Sequence, residues 1–207
     1  MRSEISENGT KSSILRIAAE LFARNGYHAT GMAELSNAVK LGRGTLYYHI
    51  GSKEAVLFEI SKKQVDSLID EAQRVVTPLE SPPETLRILA RNLMRNIASH
   101  RAEWTVFFRE HSALTGTYRN EIMSSREAYE ELWHSVLRDG ADKGFFKEFS
   151  PVLVKGILGM YNYSYLWINP DGKYTPEEIA DQFTETLLDG LLTQRPVSGG
   201  TRPRRHR

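Results

Sequence analysis

The chain has 207 residues, with 27 Lys and Arg against 26 Asp and Glu, for a net charge of +1. That length suits one large domain or two small ones and is enough to bury a real core. The balanced charge leaves any nucleic-acid affinity to a local patch, and the absence of cysteine excludes disulfides, thiol catalysis and cysteine-ligated zinc.

The first dozen residues are polar and mixed in charge, unlike a signal peptide, and residues 1 to about 10 read as disordered. No apolar run reaches the roughly 20 residues that span a bilayer. The richest stretch, Gly156 to Ile168, is broken by Asn162 and Ser164. A soluble, cytoplasmic protein with no membrane partner is expected. The first helix runs from near Ser12 to Asn25, with Ile14, Ile17, Ala18, Leu21 and Phe22 on one face. Gly26 ends it as a left-handed cap.

The stretch from Gly31 to Lys53 reads as two short helices joined by a tight turn, the second running straight into a third. Ala33, Leu35 and Ala38 can face inward, and Lys40, Leu41 and Gly42 make the turn. Arg43 to His49 then form a brief helix in which only Leu46 is purely apolar. A helix made for burial would invert that ratio. The segment suits contact with phosphates and base edges, although Tyr-Tyr-His on a short helix is also compatible with a packed corner. Of the two tyrosines, Tyr48 is the one expected to be half-buried.

The run Gly44-Thr45-Leu46-Tyr47-Tyr48-His49, followed by Ser52-Lys53-Glu54, closely resembles the signature of the tetracycline-repressor (TetR) family of bacterial transcription regulators. The likeness extends back through Ile17-Ala18-Ala19-Glu20-Leu21-Phe22 and Asn25-Gly26-Tyr27, roughly the first quarter of the chain. It departs from the pattern at Lys40, where glycine is usual, and at Ile50, where phenylalanine is usual. A left-handed Lys40 would cost about 1 kcal/mol. The resemblance implies an all-α fold of about nine helices: a helix-turn-helix DNA-binding head over residues 10–70 (motif 31–50) and a ligand-binding and dimerisation part over 71–195. A basic tail, 196–207, follows, expected to be disordered. Carried over by position, Arg43, Thr45 and Tyr47 become base-reading candidates. Gly44 lets the helix approach closely, and Thr30, Tyr48, His49 and Lys53 become phosphate contacts. Arg43 suits the two acceptors of a guanine and the Thr45 methyl suits a thymine methyl.

Further on, Ser52 caps a helix carrying Val56, Ile60, Leu68, Ile69 and Ala72 inward, which ends at Thr77-Pro78-Leu79-Glu80-Ser81-Pro82-Pro83. Ser81 to Glu84 starts the next helix with a capping box, and Leu86, Leu89, Ala90, Leu93, Met94 and Ile97 follow at helical spacing. An aromatic helix holds Trp104, Phe107, Phe108 and His111. A long helix from about Tyr118 to Asp142 turns Tyr129, Leu132, Trp133, Val136 and Leu137 inward. Ser150-Pro151 opens another, apolar nearly all round from Val152 to Ile168, with Gly156 and Gly159 permitting close helix approach. Thr175-Pro176-Glu177-Glu178 is a second capping box, opening a last helix with Phe183, Leu187 and Leu191.

In a family of this kind the second part holds an effector and pairs two subunits. The last two helices, with Gly156, Gly159, Tyr161, Leu166, Phe183, Leu187 and Leu191, are the expected homodimer face; plain monomer core is the alternative. A stripe of rings is more often core than pocket. Polar groups among these rings nevertheless suit an orienting pocket made from Trp104, Phe107, Phe108, His111, Tyr129, Trp133, Asn162, Tyr163 and Trp167. Gly159-Met160-Tyr161-Asn162-Tyr163, Trp167, Pro170-Asp171-Gly172 and Glu177-Glu178-Ile179-Ala180 loosely resemble regulators of lipid and acyl-thioester breakdown. That implies a small-molecule effector that is a bulky acyl-CoA or a similar apolar carboxylate, beside the double-stranded operator that the helix-turn-helix resemblance implies; no metal or other cofactor is expected. An enzyme finds little support. Glu131-x-x-His134 is half of a di-iron motif, and no phosphate-binding glycine loop or nucleophile elbow occurs. The remaining alternative is a DNA-binding protein of the same fold with a structural role in chromosome organisation or division.

Overall fold

The computed structural model describes residues 2–76, 81–147 and 150–191, with side chains from residue 10 onward. Residues 77–80 of the expected break, and the tail with Arg202, Arg204, Arg205 and Arg207, lie outside the described residues. Among the described residues there are nine α-helices and no strand: α1 (Arg2–Asn25), α2 (Met32–Val39), α3 (Arg43–Ile50), α4 (Lys53–Val76), α5 (Pro82–Ser99), α6 (Arg101–Glu110), α7 (Gly116–Asp142), α8 (Pro151–Asn162) and α9 (Pro176–Leu191). Short 3₁₀ turns follow α6 and α8. None of these helices is long and apolar enough to cross a membrane.

Helix α1 begins at Arg2, well ahead of the expected start near Ser12. No proline interrupts residues 2–11, and once the turns anchored by buried Ile14, Ala18 and Phe22 exist, each added residue needs only one further hydrogen bond. Gly26, at φ 88°, supplies the left-handed stop. In α2 only Leu35 and Ser36 are buried, so Ala33 and Ala38 face out rather than in. Lys40 closes α2 at φ 56° and ψ 37°, left-handed as its place in the turn demands. Among the described residues it is the only non-glycine with positive φ.

Helix α4 carries the head into the rest of the molecule without a break. The Ser52 hydroxyl accepts the Ala55 amide at 3.0 Å, the expected cap. In the same first turn, Glu54 reaches across to accept the amide and hydroxyl of Thr115, both at 2.8 Å, and so ties the start of α7 to the head. Glu110 of α6 accepts the Tyr27 amide at 3.2 Å. Two neighbours in space therefore close orphan amides in each other's loops.

The core of the second part is α5. Leu86, Leu89, Ala90, Leu93, Met94 and Ile97 are all buried, against α4, α7, α8 and α9. Its Glu84 pairs with Arg87 instead of closing a box with Ser81, whereas Thr175 and Glu178 do close theirs, at 2.8 and 3.1 Å. On the solvent side α5 and α9 run antiparallel, and three arginines four residues apart meet three acids four residues apart. The pairs are Arg87–Glu185, Arg91–Asp181 and Arg95–Glu177, at 2.7, 2.6 and 2.6 Å. Between α8 and α9 the Tyr161 phenol meets the Thr184 hydroxyl at 2.8 Å in full burial, which pushes Tyr161 up to about 12.

Helix α8 is shorter than its apolar run suggested, giving way to a 3₁₀ turn at Tyr163–Leu166. It is buried on one side only: Val154, Ile157, Leu158 and Tyr161 face the core, while Val152, Gly156 and Gly159 are exposed. A Cβ added at Gly156 or Gly159 would meet nothing within 4 Å, so among the described residues no helix fills the approach these glycines permit.

Candidate nucleic-acid interface and ligand cavity

The short helix α3 is held by two side chains. Leu46 and Ile50, four residues apart and both buried, pin its inner face. That anchoring turns Arg43, Gly44, Thr45, Tyr47 and Tyr48 outward, all exposed, with His49 half-buried beside the Tyr48 ring at 5.3 Å. Tyr48 is 76% exposed and Tyr47 46%, the reverse of the expected order. The spacing explains it: Tyr47 follows Leu46 directly and lies nearer the buried stripe. Gly44 has open space where a Cβ would stand, so the backbone there can approach a partner closely.

Lys53 opens α4 beside this face. Its ammonium stands 4.4 Å above the Tyr27 ring and 3.4 Å from the His28 carbonyl. Burial lowers its pKa, with Glu110 opposing that shift. Thr30 belongs elsewhere. It is fully buried, and its hydroxyl donates to the Gly26 carbonyl at 2.9 Å, bracing the loop after α1. The expectation of a phosphate contact from Thr30 is corrected accordingly: the short hydroxyl is consumed by its own backbone.

A cavity of about 310 Å³ opens among α4, α6, α7 and α8. Its apolar wall is Val65, Leu68, Trp104, Phe107, Phe108, Tyr129 and Leu158, and its polar groups are Arg126, Glu130, Lys155 and Asn162, with Gly159 at the edge. Trp104, Phe107, Phe108, Tyr129 and Asn162 are thus brought together as the sequence suggested. His111 stands behind the wall, stacked on Phe107 with ring centroids 5.5 Å apart. Trp133 is fully buried and forms core against Tyr129 and Tyr161, not cavity lining. Tyr163 and Trp167, 63% and 46% exposed, lie on the outer surface, on the side away from the buried stripe of Val154, Ile157, Leu158 and Tyr161. Asn96 is a core bracket, its Oδ1 accepting the Trp104 indole at 2.9 Å.

Sequence reasoning missed Arg126, Glu130 and Lys155. A signal existed: Arg126 lies three residues before Tyr129 on one helix, and so on the same face. Among the described residues no cluster of His, Asp and Glu could hold a metal ion. Glu131 and His134 approach to 3.5 Å as neighbours on one helix face.

Residues 14–60 match the family described as "Bacterial regulatory proteins, tetR family", and residues 79–191 match "Tetracyclin repressor-like, C-terminal domain". The HTH-type transcriptional repressor KstR2 of Rhodococcus jostii is 27% identical over 190 residues, which cover 90% of this chain and 93% of that one. Among solved structures, the TetR family transcriptional regulator PfmR from Thermus thermophilus superposes with a TM-score of 0.80 at 30% identity, covering 88% of this chain and 99% of that one. The crystal structure of AibR in complex with isovaleryl coenzyme A and operator DNA superposes with a TM-score of 0.77 at 28% identity, covering 86% and 97%.

Proposed function

This chain belongs to the tetR family of bacterial regulatory proteins, and from that premise we propose that it is an effector-responsive repressor. It binds a near-palindromic operator as a homodimer and is released by a small apolar effector of the acyl-thioester or apolar-carboxylate class. The observation that carries the reading is the outward face of α3. Two buried anchors, Leu46 and Ile50, hold the helix so that Arg43, Thr45, Tyr47 and Tyr48 stand exposed where a partner can reach them. Arg43, Thr45 and Tyr47 read bases, close approach at Gly44 permitting it; Tyr48, His49 and Lys53 hold phosphates. We divide the chain into a head over 10–70 and an effector and dimer part over 71–195, with α4 common to both.

The dimer reading draws support from the exposed Val152, Gly156, Gly159 and Tyr163 of α8 and its following turn, beside the half-buried Ile179, Phe183 and Leu187 of α9. The effector reading draws support from the cavity and from AibR, whose complex holds isovaleryl coenzyme A and operator DNA together. Helix α4 links the two events. Lys53 at its first turn belongs to the head, and Val65 and Leu68 line the cavity, about 18 and 22 Å further along the axis. An effector that binds more tightly to the conformer with mismatched head spacing shifts the population off DNA by that differential affinity and no further.

The test is a selection of bound fragments from random DNA, repeated with short acyl thioesters present. An inverted repeat enriched without thioester and depleted with it is the expected result. Enrichment that ignores every thioester, or a unique half-site bound by a strict monomer, overturns the proposal.

A further inference from the structure

The guanidinium of Arg126 lies in the cavity wall with no acid to answer it. Its Nη1 stands 3.2 Å from His111 Nε2 and 3.9 Å from the Met123 sulfur, and its Cζ lies 5.8 Å from the Phe107 ring centre. Among the described residues it makes no ion pair. The contact with His111 does not neutralise it. His111 Nδ1 is 2.8 Å from the Phe107 carbonyl, and a carbonyl only accepts, so Nδ1 carries the proton. Nε2 then offers a lone pair, and Arg126 donates to it. Burial, followed by the charges of Arg126 and Arg119, keeps His111 in that neutral form. The carboxylate in the wall is already taken: Glu130 accepts Lys155 at 2.8 Å. The polar end of the cavity therefore holds two cations and one anion.

Arg126 is half-buried, and a cation in a cavity wall whose nearest polar partner is neutral leaves its remaining donors for an anion. We infer that Arg126 is the effector's anion anchor, oriented by His111, and that the cavity takes a short apolar acyl group carrying a negative charge at the end that meets Arg126. This rests on the effector-responsive reading above. Size narrows the class further. At about 310 Å³ the space stands at the lower end of small-molecule sites, which suits a short or branched chain. The charge has two chemical sources, the carboxylate of a free acid or a phosphate of a thioester carrier.

The test measures binding to the full chain by calorimetry, without DNA, for hexanoate, hexanoyl coenzyme A, coenzyme A alone and neutral hexanamide. It is made on the native chain, Arg126→Gln and Arg126→Lys. Operator affinity without ligand is measured alongside. Arg126→Gln is expected to weaken the anionic probe roughly tenfold or more, to leave hexanamide unchanged, and to leave operator affinity intact, with Arg126→Lys in between. Hexanoate binding as well as its thioester assigns the charge to the carboxylate; the thioester alone binding assigns it to the carrier. An equal loss for hexanamide, no loss for either anion, no binding of any probe, or coenzyme A binding as well as its ester would overturn the anchor. Because calorimetry needs no DNA, a chain that binds the anion but no operator would sink the repressor reading alone.

Discussion

Arg91 and Asp181 meet fork to fork across α5 and α9, Nε to Oδ1 at 2.6 Å and Nη2 to Oδ2 at 2.9 Å. They form the middle rung of a three-rung ladder that staples the last helix to the central one. Both side chains remain more than a third exposed, so solvent screens the pair. A double-mutant cycle with Arg91→Met and Asp181→Asn is expected to give a coupling of about 0.5–1 kcal/mol by urea unfolding, shrinking as salt rises. A coupling of zero would make the ladder decorative.

The lower rung carries a pH signature. A hydrogen bond from Arg95 holds the Glu177 carboxyl below the usual carboxylate range. The unfolded chain therefore takes up the proton first as pH falls. The rung's stabilisation is present above the unfolded pKa and is lost as pH drops through the folded one. Glu177→Gln should lower the urea midpoint near neutral pH, and the deficit should vanish in acid, below both the unfolded and the folded pKa. A deficit that grows in acid would contradict the sign.

On the DNA face two substitutions should separate position from sequence. Lys53→Ala is expected to weaken binding to every DNA sequence and to lower the salt slope by about one. Arg43→Ala should cost roughly 1–3 kcal/mol at a single base position and relax choice there. Binding isotherms across a salt series and a panel of operator variants would read both. A uniform loss from Arg43→Ala would assign it to the backbone.

Much of the fold was legible because its signals are local. The Leu46 and Ile50 spacing, the Gly26 stop, the Ser52 cap and the Thr175–Glu178 box each lie within a few residues of what they determine. The site was legible only where helices stay regular, as with Trp104, Phe107 and Phe108 along α6. Thr30 went astray because a hydroxyl reads alike whether it faces a phosphate or its own backbone. Trp167 did so because a ring reads alike whether it lines a cavity or stands on the outer surface. Arg126 passed unnoticed because its meaning lies in the missing acid, which is a fact about three other helices.

Trp133 and Phe107 should now behave differently. Trp133 is fully buried core, so Trp133→Ala should cost about 3–5 kcal/mol in unfolding free energy. Phe107 lines the cavity, so Phe107→Leu should retain the fold and shift the preference among acyl lengths. Chemical denaturation and effector titration distinguish them. Equal destabilisation by both would mean that the cavity wall is simply core.

The bare glycines of α8 invite a direct check of subunit pairing. The Cβ that Gly156→Arg adds meets nothing within 4 Å in the single chain, and the position is exposed. If a second copy occupies that approach, the substitution should yield a folded monomer with weakened operator affinity, seen by light scattering. A variant that still sediments as a dimer would move the interface elsewhere.

Lys40 remains in the turn between α2 and α3, left-handed where glycine would be at ease. Its side chain is exposed in the turn that leads into α3, so the residue whose Cβ strains the hinge also carries a cation that can lengthen the reach toward the sugar-phosphate rail. Evolutionary repair of that hinge and grip on nucleic acid would then pull in opposite directions, and a sturdier head would be a looser one.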